Sequence, residues 1–178
     1  MKIEFGEKDA LLVIDMLNDF IDEERGTLVV PGASRIVPRI AELVDVARSV
    51  GTPVIYVCDT HRTDDAEFRN WPAHAVKGSW GAEVVEPLLP LAGEHIVHKR
   101  RYSGFFGTDL ELRLSELSVR KLYLTGVLTN ICVWATALDA AERNFEVAVV
   151  SDAVASLSKE TDEFVFRQLR EVLQAEVI

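Results

Sequence analysis

Short apolar runs punctuate the chain, separated by longer segments whose apolar positions recur at helical spacing. "ALLVID" (10–15), "TPVIYVCD" (52–59), "EHIVHK" (94–99), "KLYLTGV" (121–127) and "FEVAVVSD" (145–152) read as strands, and the terminal "AEVI" begins a sixth. "SRIVPRIAELVDVARSVG" (34–51) reads as a helix closed by Gly51, with Pro38 in or just after its first turn, where a missing N–H is least missed. A helix around 82–89 follows. "TDLELRLSELSV" (108–119) is a further helix, with Thr108 as N-cap and Glu111 completing a capping box. Segments 130–143 and 158–174 complete the helical set. The strands are apolar at nearly every position, which means a sheet covered on both faces. Regular strand–helix alternation predicts an α/β fold, a three-layer α/β/α sandwich around a doubly wound parallel sheet of about six strands. Residues 1–178 read as one domain without repeats or linkers.

One segment breaks the rhythm. Residues 60–82 are polar, aperiodic and contain two of the three tryptophans. An insert of this length without structure of its own is usually functional.

Composition narrows the classes of partner. The formal charge is -10, from 29 acidic and 19 basic residues. That balance argues against nucleic acid, whose phosphates require a Lys/Arg surface, and against an anionic membrane. No apolar run approaches the roughly 20 residues that span a bilayer. The two cysteines make no disulfide framework, and the N-terminus lacks the basic n-region of a secretory signal. These features together point to a soluble cytoplasmic protein.

In doubly wound sheets a ligand site lies at the carboxyl ends of the strands. Asp15 ends the first strand, Asp59 the second with His61 two residues on, and Lys99 the third; a short turn after the fourth leads to Cys132. If Thr129 or Asn130 caps the following helix, Cys132 lies in its first turn, where free N–H groups and the helix dipole favour a thiolate and could also hold an oxyanion. Taken alone, "ICVWATALDAA" fits equally well a helix buried all round with Cys132 as filler. Cys58 lies inside an apolar strand and reads as packing.

The blocks "LLVIDMLNDFID", "KRRYSGFFGTDLELRL" and "LYLTGVLTNICVWATALDAAERNFEVAVVSDA", in this order, resemble the isochorismatase-like cysteine hydrolase superfamily over essentially the whole chain. The resemblance implies a catalytic triad of Asp15, Lys99 and Cys132. It also implies a cis peptide at Val127–Leu128 that turns the Leu128 and Cys132 N–H groups into an oxyanion hole. Within that superfamily the segment "CDTHRTDDAEFRNWPAHAVKGSWGAE" is most similar to nicotinamidases and pyrazinamidases. There, positions matching Asp59, His61 and His74 bind a divalent metal, with zinc first and iron or manganese as alternatives. Positions matching Phe20, Trp71 and Tyr102 surround the substrate ring. A further histidine found in many nicotinamidases is absent, and Asp64, Asp65 and Glu67 stand nearby as candidate extra ligands. "WPAHAVKGSWGA" also departs from the usual nicotinamidase pattern. The resemblance implies hydrolysis of a small-molecule amide, nicotinamide first, a step of NAD metabolism, and a dimeric or tetrameric homo-oligomer. A ureido, carbamoyl or biuret-type amide, or isochorismate, is the alternative substrate, and a non-catalytic binding module the remote one.

Overall fold

A computed structural model describes residues 3–178. Six parallel strands form one sheet: β1 (Asp9–Ile14), β2 (Val54–Asp59), β3 (His95–Lys99), β4 (Lys121–Val127), β5 (Glu146–Ala155) and β6 (Glu176–Val177). Their spatial order is β3-β2-β1-β4-β5-β6. The order reverses at β1, where Leu11 pairs with Val54 of β2 on one side and Tyr123 of β4 on the other.

Side chains alternate between the two faces of a strand. Leu11 and Val13 therefore join Tyr56 and Cys58 on one face, packed against Ile40, Leu43 and Ala47 of helix α2 (Val37–Val50). Leu12 and Ile14 join Ile55 and Val57 on the other. That second face is covered by helices α3 (Leu110–Glu116), α4 (Trp134–Glu142) and α5 (Lys159–Glu171) through residues such as Leu114, Ala137 and Leu169. Both faces being covered explains why the strands are apolar throughout. A short helix α1 (Asn18–Ile21), which no periodicity announces, follows β1.

Helix ends are set by local chemistry. Gly51 closes α2 at φ 78°, its N–H donating to Ala47 and Arg48 carbonyls, the left-handed stop glycine adopts without a Cβ penalty. The Ser158 hydroxyl accepts from the Thr161 N–H at the start of α5.

Several expectations need correction. The helix expected around 82–89 is a single 3-10 turn at Glu86–Leu88. Its neighbourhood is extended instead, with the Asn18 N–H donating to the Glu83 carbonyl and Val85 N–H to Met16. Pro87 and Pro90 supply no N–H to continue a helix there. Helix α3 is shorter than expected. Asp109 is its N-cap without a side-chain cap bond, and Ser118 at φ 56° turns the chain just beyond its end. Thr108 Oγ1 accepts from the Leu110 N–H and donates to the Gly104 carbonyl, while Glu111, the other half of the expected capping box, pairs with Arg143 instead. Segment 34–36 is a 3-10 turn leading into α2.

Candidate active site

The strand order places the chemistry. β3, β2, β1 and the turn after β4 lie side by side, so their carboxyl ends bring Lys99, Asp59, Asp15 and Cys132 together although they are far apart in sequence. Asp59 and Lys99 are register partners across β2 and β3. Asp15 leaves β1 at φ 51°, its N–H held by the Val57 carbonyl and its Oδ1 accepting the Asp59 N–H at 2.7 Å. The β4–α4 connection carries the Val127–Leu128 peptide in the cis form.

Thr129 and Asn130 do not cap α4, contrary to expectation. Residues Thr129–Val133 form a π-turn in which Ile131 and Val133 N–H groups donate to the Leu128 carbonyl. The Thr129 hydroxyl and Asn130 Oδ1 are buried without hydrogen-bond partners. Cys132 sits in this turn, just ahead of α4, and faces the strand ends.

Lys99 is the hub. Its side chain is fully buried, with Nζ 2.7 Å from Asp15 Oδ2, 2.5 Å from Asp59 Oδ1 and 3.4 Å from Cys132 Sγ. The acceptor atoms of Asp15, Asp59 and Cys132 lie within 4.8 Å of one another. Burial, with the Asp59 charge adding to it, pushes the Asp15 carboxyl up to about 6 against the pull of Lys99. Burial opposes the Lys99 ammonium, but Asp15 and Asp59 outweigh it and hold that group well above its ordinary value. Burial likewise pushes the Cys132 thiol up, against Lys99. The resting arrangement is thus a neutral thiol beside a fixed ammonium and a carboxylate poised near neutrality.

The polar insert closes the other end of the site. His61 exchanges backbone hydrogen bonds with Ala75 and Lys77 at 2.9 Å, folding the loop back so that His74 stands beside His61. Ligand atoms of Asp59, His61 and His74 lie within 4.8 Å of one another, all three residues buried. His74 Nδ1 is 2.6 Å from the Pro72 carbonyl, which requires the proton on Nδ1 and leaves Nε2 as a lone pair. That Nε2 is 3.9 Å from Asp59 Oδ2, and His61 Nε2 is 3.6 Å from the same oxygen without a hydrogen bond. Two buried imidazole nitrogens converging on one carboxylate fit a divalent cation, and one carboxylate with two imidazoles suits zinc or iron(II). Asp59 serves both halves of the site, one oxygen on Lys99 and the other toward the imidazoles.

The three nearby carboxylates separate. Asp64 is exposed and paired with Arg62 at 2.8 Å, away from the cluster. Asp65 lies behind His61, its Oδ2 3.2 Å from His61 Nδ1. Glu67 lines the pocket, and burial together with the Asp59 charge pushes its carboxyl up.

The pocket reaching Cys132 has an empty volume of about 530 Å³, open solvent at its mouth included. Phe20, Trp71 and Tyr102 all line it, Trp71 Nε1 donating to the Tyr102 hydroxyl at 3.2 Å. Leu128 and Cys132 line it as well, together with Leu157, which lies outside the three blocks of the resemblance.

Sequence reasoning also passed over Asp19. Its buried carboxylate accepts from the Ala75 N–H at 2.7 Å and the Thr27 N–H at 3.2 Å, fastening the residue next to His74. In "NDFIDEER" it stands among other polar residues, so no pattern marks it out.

A profile described as the isochorismatase domain matches residues 9–178. The chain belongs to the isochorismatase family. Three solved structures of this family illustrate its range. Nicotinamidase PncA from Bacillus subtilis is 35% identical with a TM-score of 0.90, covering 96% of this chain and 98% of that one. N-carbamoylsarcosine amidase from Thermoplasma acidophilum is 38% identical with a TM-score of 0.87, covering 96% and 95%. The pyrazinamidase of Pyrococcus horikoshii, in complex with zinc, is 32% identical with a TM-score of 0.88, covering 96% and 98%. Among the described residues of this isochorismatase-family chain, no helix is long and apolar enough to cross a membrane.

Proposed function

We propose that this chain is a cysteine amidohydrolase that converts a small amide, nicotinamide first, to the carboxylate and ammonia. One observation carries the reading: Lys99 Nζ touches Asp15, Asp59 and Cys132, all three of which line one pocket. A buried thiol packed only as filler has no use for an ammonium and a carboxylate within reach.

Each group then has a task. Asp15, with its carboxyl near 6, takes the Cys132 proton as the sulfur attacks the amide carbonyl. The Lys99 ammonium stabilises the sulfur's negative charge. Charge building on the carbonyl oxygen meets the N–H groups of Leu128 and Cys132. Asp15 returns the proton to the nitrogen, the C–N bond breaks, and ammonia leaves a thioester on Cys132. Asp15 next takes a proton from water, whose oxygen attacks the thioester. The carboxylic acid departs and the proton returns to sulfur.

Asp59, His61 and His74 would hold a divalent cation, zinc first, in keeping with the zinc-containing relative. When bound, such a cation supplies a Lewis-acid contact for a heteroatom of the substrate. Phe20, Trp71 and Tyr102 line the pocket with aromatic surface suited to a planar ring, which favours a heteroaromatic amide. The likeness to N-carbamoylsarcosine amidase favours a second reading, a carbamoyl or ureido amide processed by the same steps.

The test is ammonia release from the purified protein with nicotinamide and a panel of carbamoyl and ureido compounds, with and without a chelator. Turnover lost in Cys132→Ala, with the fold retained, is expected. Substantial residual hydrolysis by that variant would refute the mechanism.

A further inference from the structure

The His61 ring lies between two carboxylates. Its Nε2 lies 3.6 Å from Asp59 and its Nδ1 3.2 Å from Asp65, the shorter approach, with neither contact in hydrogen-bond geometry. Only one of these nitrogens carries the proton in a neutral imidazole, so the two carboxylates compete to decide which. A cation on the Asp59 side needs the Nε2 lone pair, and therefore needs the proton on Nδ1, toward Asp65.

Asp65 is built to win that competition. Its side chain is fully buried, yet four groups hold it in place. Arg100 Nε donates to Oδ2 at 2.7 Å, Arg101 Nη1 to Oδ1 at 3.0 Å, and the Glu67 N–H to Oδ1 at 3.2 Å, with His61 the fourth neighbour. A buried carboxylate is costly unless paired and hydrogen-bonded. Here it is paired by the two residues that directly follow Lys99 and precede Tyr102. Asp59, by contrast, spends one oxygen on Lys99 at 2.5 Å.

From this geometry we infer that Asp65 is the positioning residue of the metal site, holding His61 as the Nδ1–H tautomer with Nε2 turned toward Asp59 and His74. The Arg100–Asp65–His61 chain also links the strand end that bears Lys99 to the loop that bears the imidazoles. The two halves of the pocket therefore keep one spacing. Asp64, the adjacent carboxylate, has no such part, being exposed and paired with Arg62.

This inference rests on the metal reading above, and the experiment separates the two. Full-length wild type, Asp65→Asn, Asp65→Ala and Asp64→Asn are stripped of metal and titrated with zinc against a chromogenic chelator. Long-range ¹H–¹⁵N spectra of the metal-free proteins report the histidine tautomers. We expect zinc affinity about 10–100-fold weaker in both Asp65 variants and unchanged in Asp64→Asn. His61 should be the Nδ1–H tautomer in wild type and move toward Nε2–H in Asp65→Asn, while His74, held by Pro72, stays as it is. Should Asp65→Ala fail to fold, the near-isosteric Asp65→Asn decides. Wild type without zinc affinity would remove the metal reading and this inference together. Wild type that binds zinc, with Asp65→Asn binding equally well or its His61 tautomer unchanged, would remove this inference alone.

Discussion

Replacing Lys99 by Met tests the electrostatic centre of the site directly. The substitution keeps an unbranched chain of similar length and deletes the charge that Asp15 and Asp59 share at 2.7 and 2.5 Å. At an effective dielectric constant near 20, each of those contacts is worth about 6 kcal/mol of attraction. Burying the ions offsets much of it, and breaking such a buried pair typically costs about 3–5 kcal/mol, because an uncompensated charge remains. The variant has a way to soften that loss, since one of two facing carboxylates can take up a proton. The sign follows from where each pKa lies. In wild type, Asp15 near 6 gains a proton between pH 7 and pH 5 that the unfolded carboxyl does not, which adds about 1.4 kcal/mol to stability. In Lys99→Met the ammonium that lowers the Asp15 carboxyl is gone, so proton uptake by the facing pair moves to higher pH and the variant gains more than wild type over the same interval. The penalty should therefore be about 3–5 kcal/mol at pH 7 and smaller at pH 5. Urea denaturation of chelator-treated protein at the two pH values measures both, the chelator ensuring that no cation compensates Asp59. A penalty below 1 kcal/mol at pH 7, or one that grows in acid, would refute the reasoning.

Three further outcomes are expected. Cys132→Ala should lower turnover at least about a thousandfold while leaving the thermal midpoint close to wild type, as checked by ammonia release and circular dichroism. On the acid side, kcat/KM should fall about tenfold per pH unit below about 6, because protonated Asp15 cannot accept the thiol proton; a profile flat to pH 4.5 would contradict this assignment. In Gly81→Ala the new Cβ would lie 2.1 Å from Asp19 Oδ2, displacing a carboxylate that holds the Ala75 and Thr27 N–H groups. Loss of two charged hydrogen bonds costs about 3–5 kcal/mol in urea denaturation, and the double variant with Asp19→Ala should be no less stable than Asp19→Ala alone.

The sheet and the residues at its edge were legible from the chain because they follow from one-dimensional patterns. Unbroken apolar runs mark strands covered on both faces, and a polar residue closing each run marks the edge where a doubly wound sheet opens to a ligand. Asp15, Asp59, Lys99 and Cys132 could be picked out in this way before their neighbours were known, and the resemblance then put them in one site. Helix boundaries were less legible. Thr108 and Glu111 look like a capping box by spacing, yet Glu111 pairs with Arg143 at the end of α4 instead. The "TN" before Cys132 looks like a cap as well, and the chain instead widens into a π-turn with both polar groups unused. In the first case a distant partner decided, and in the second the path of the backbone after β4 did.

The insert shows why the remainder could not be read. Its composition announces function, but its ligands come together through a backbone exchange between His61 and residues 75–77, a pairing that no periodicity encodes. The groups that hold it are buried carboxylates acting on N–H groups and guanidinia far away in sequence: Asp19 on Ala75, Asp65 on Arg100 and Arg101. In sequence such carboxylates look like any solvated acid, and in "TDDAE" the exposed Asp64 and the fully buried Asp65 are indistinguishable. What separates them is the partner each finds. Asp64 meets Arg62 two residues away in open solvent, where an ion pair contributes little. Asp65 meets two arginines placed by the end of β3, and so ties an irregular loop to the sheet. The reactive groups stand on strand ends and could be read from pattern, whereas the groups that aim them depend on the folded sheet for their meaning.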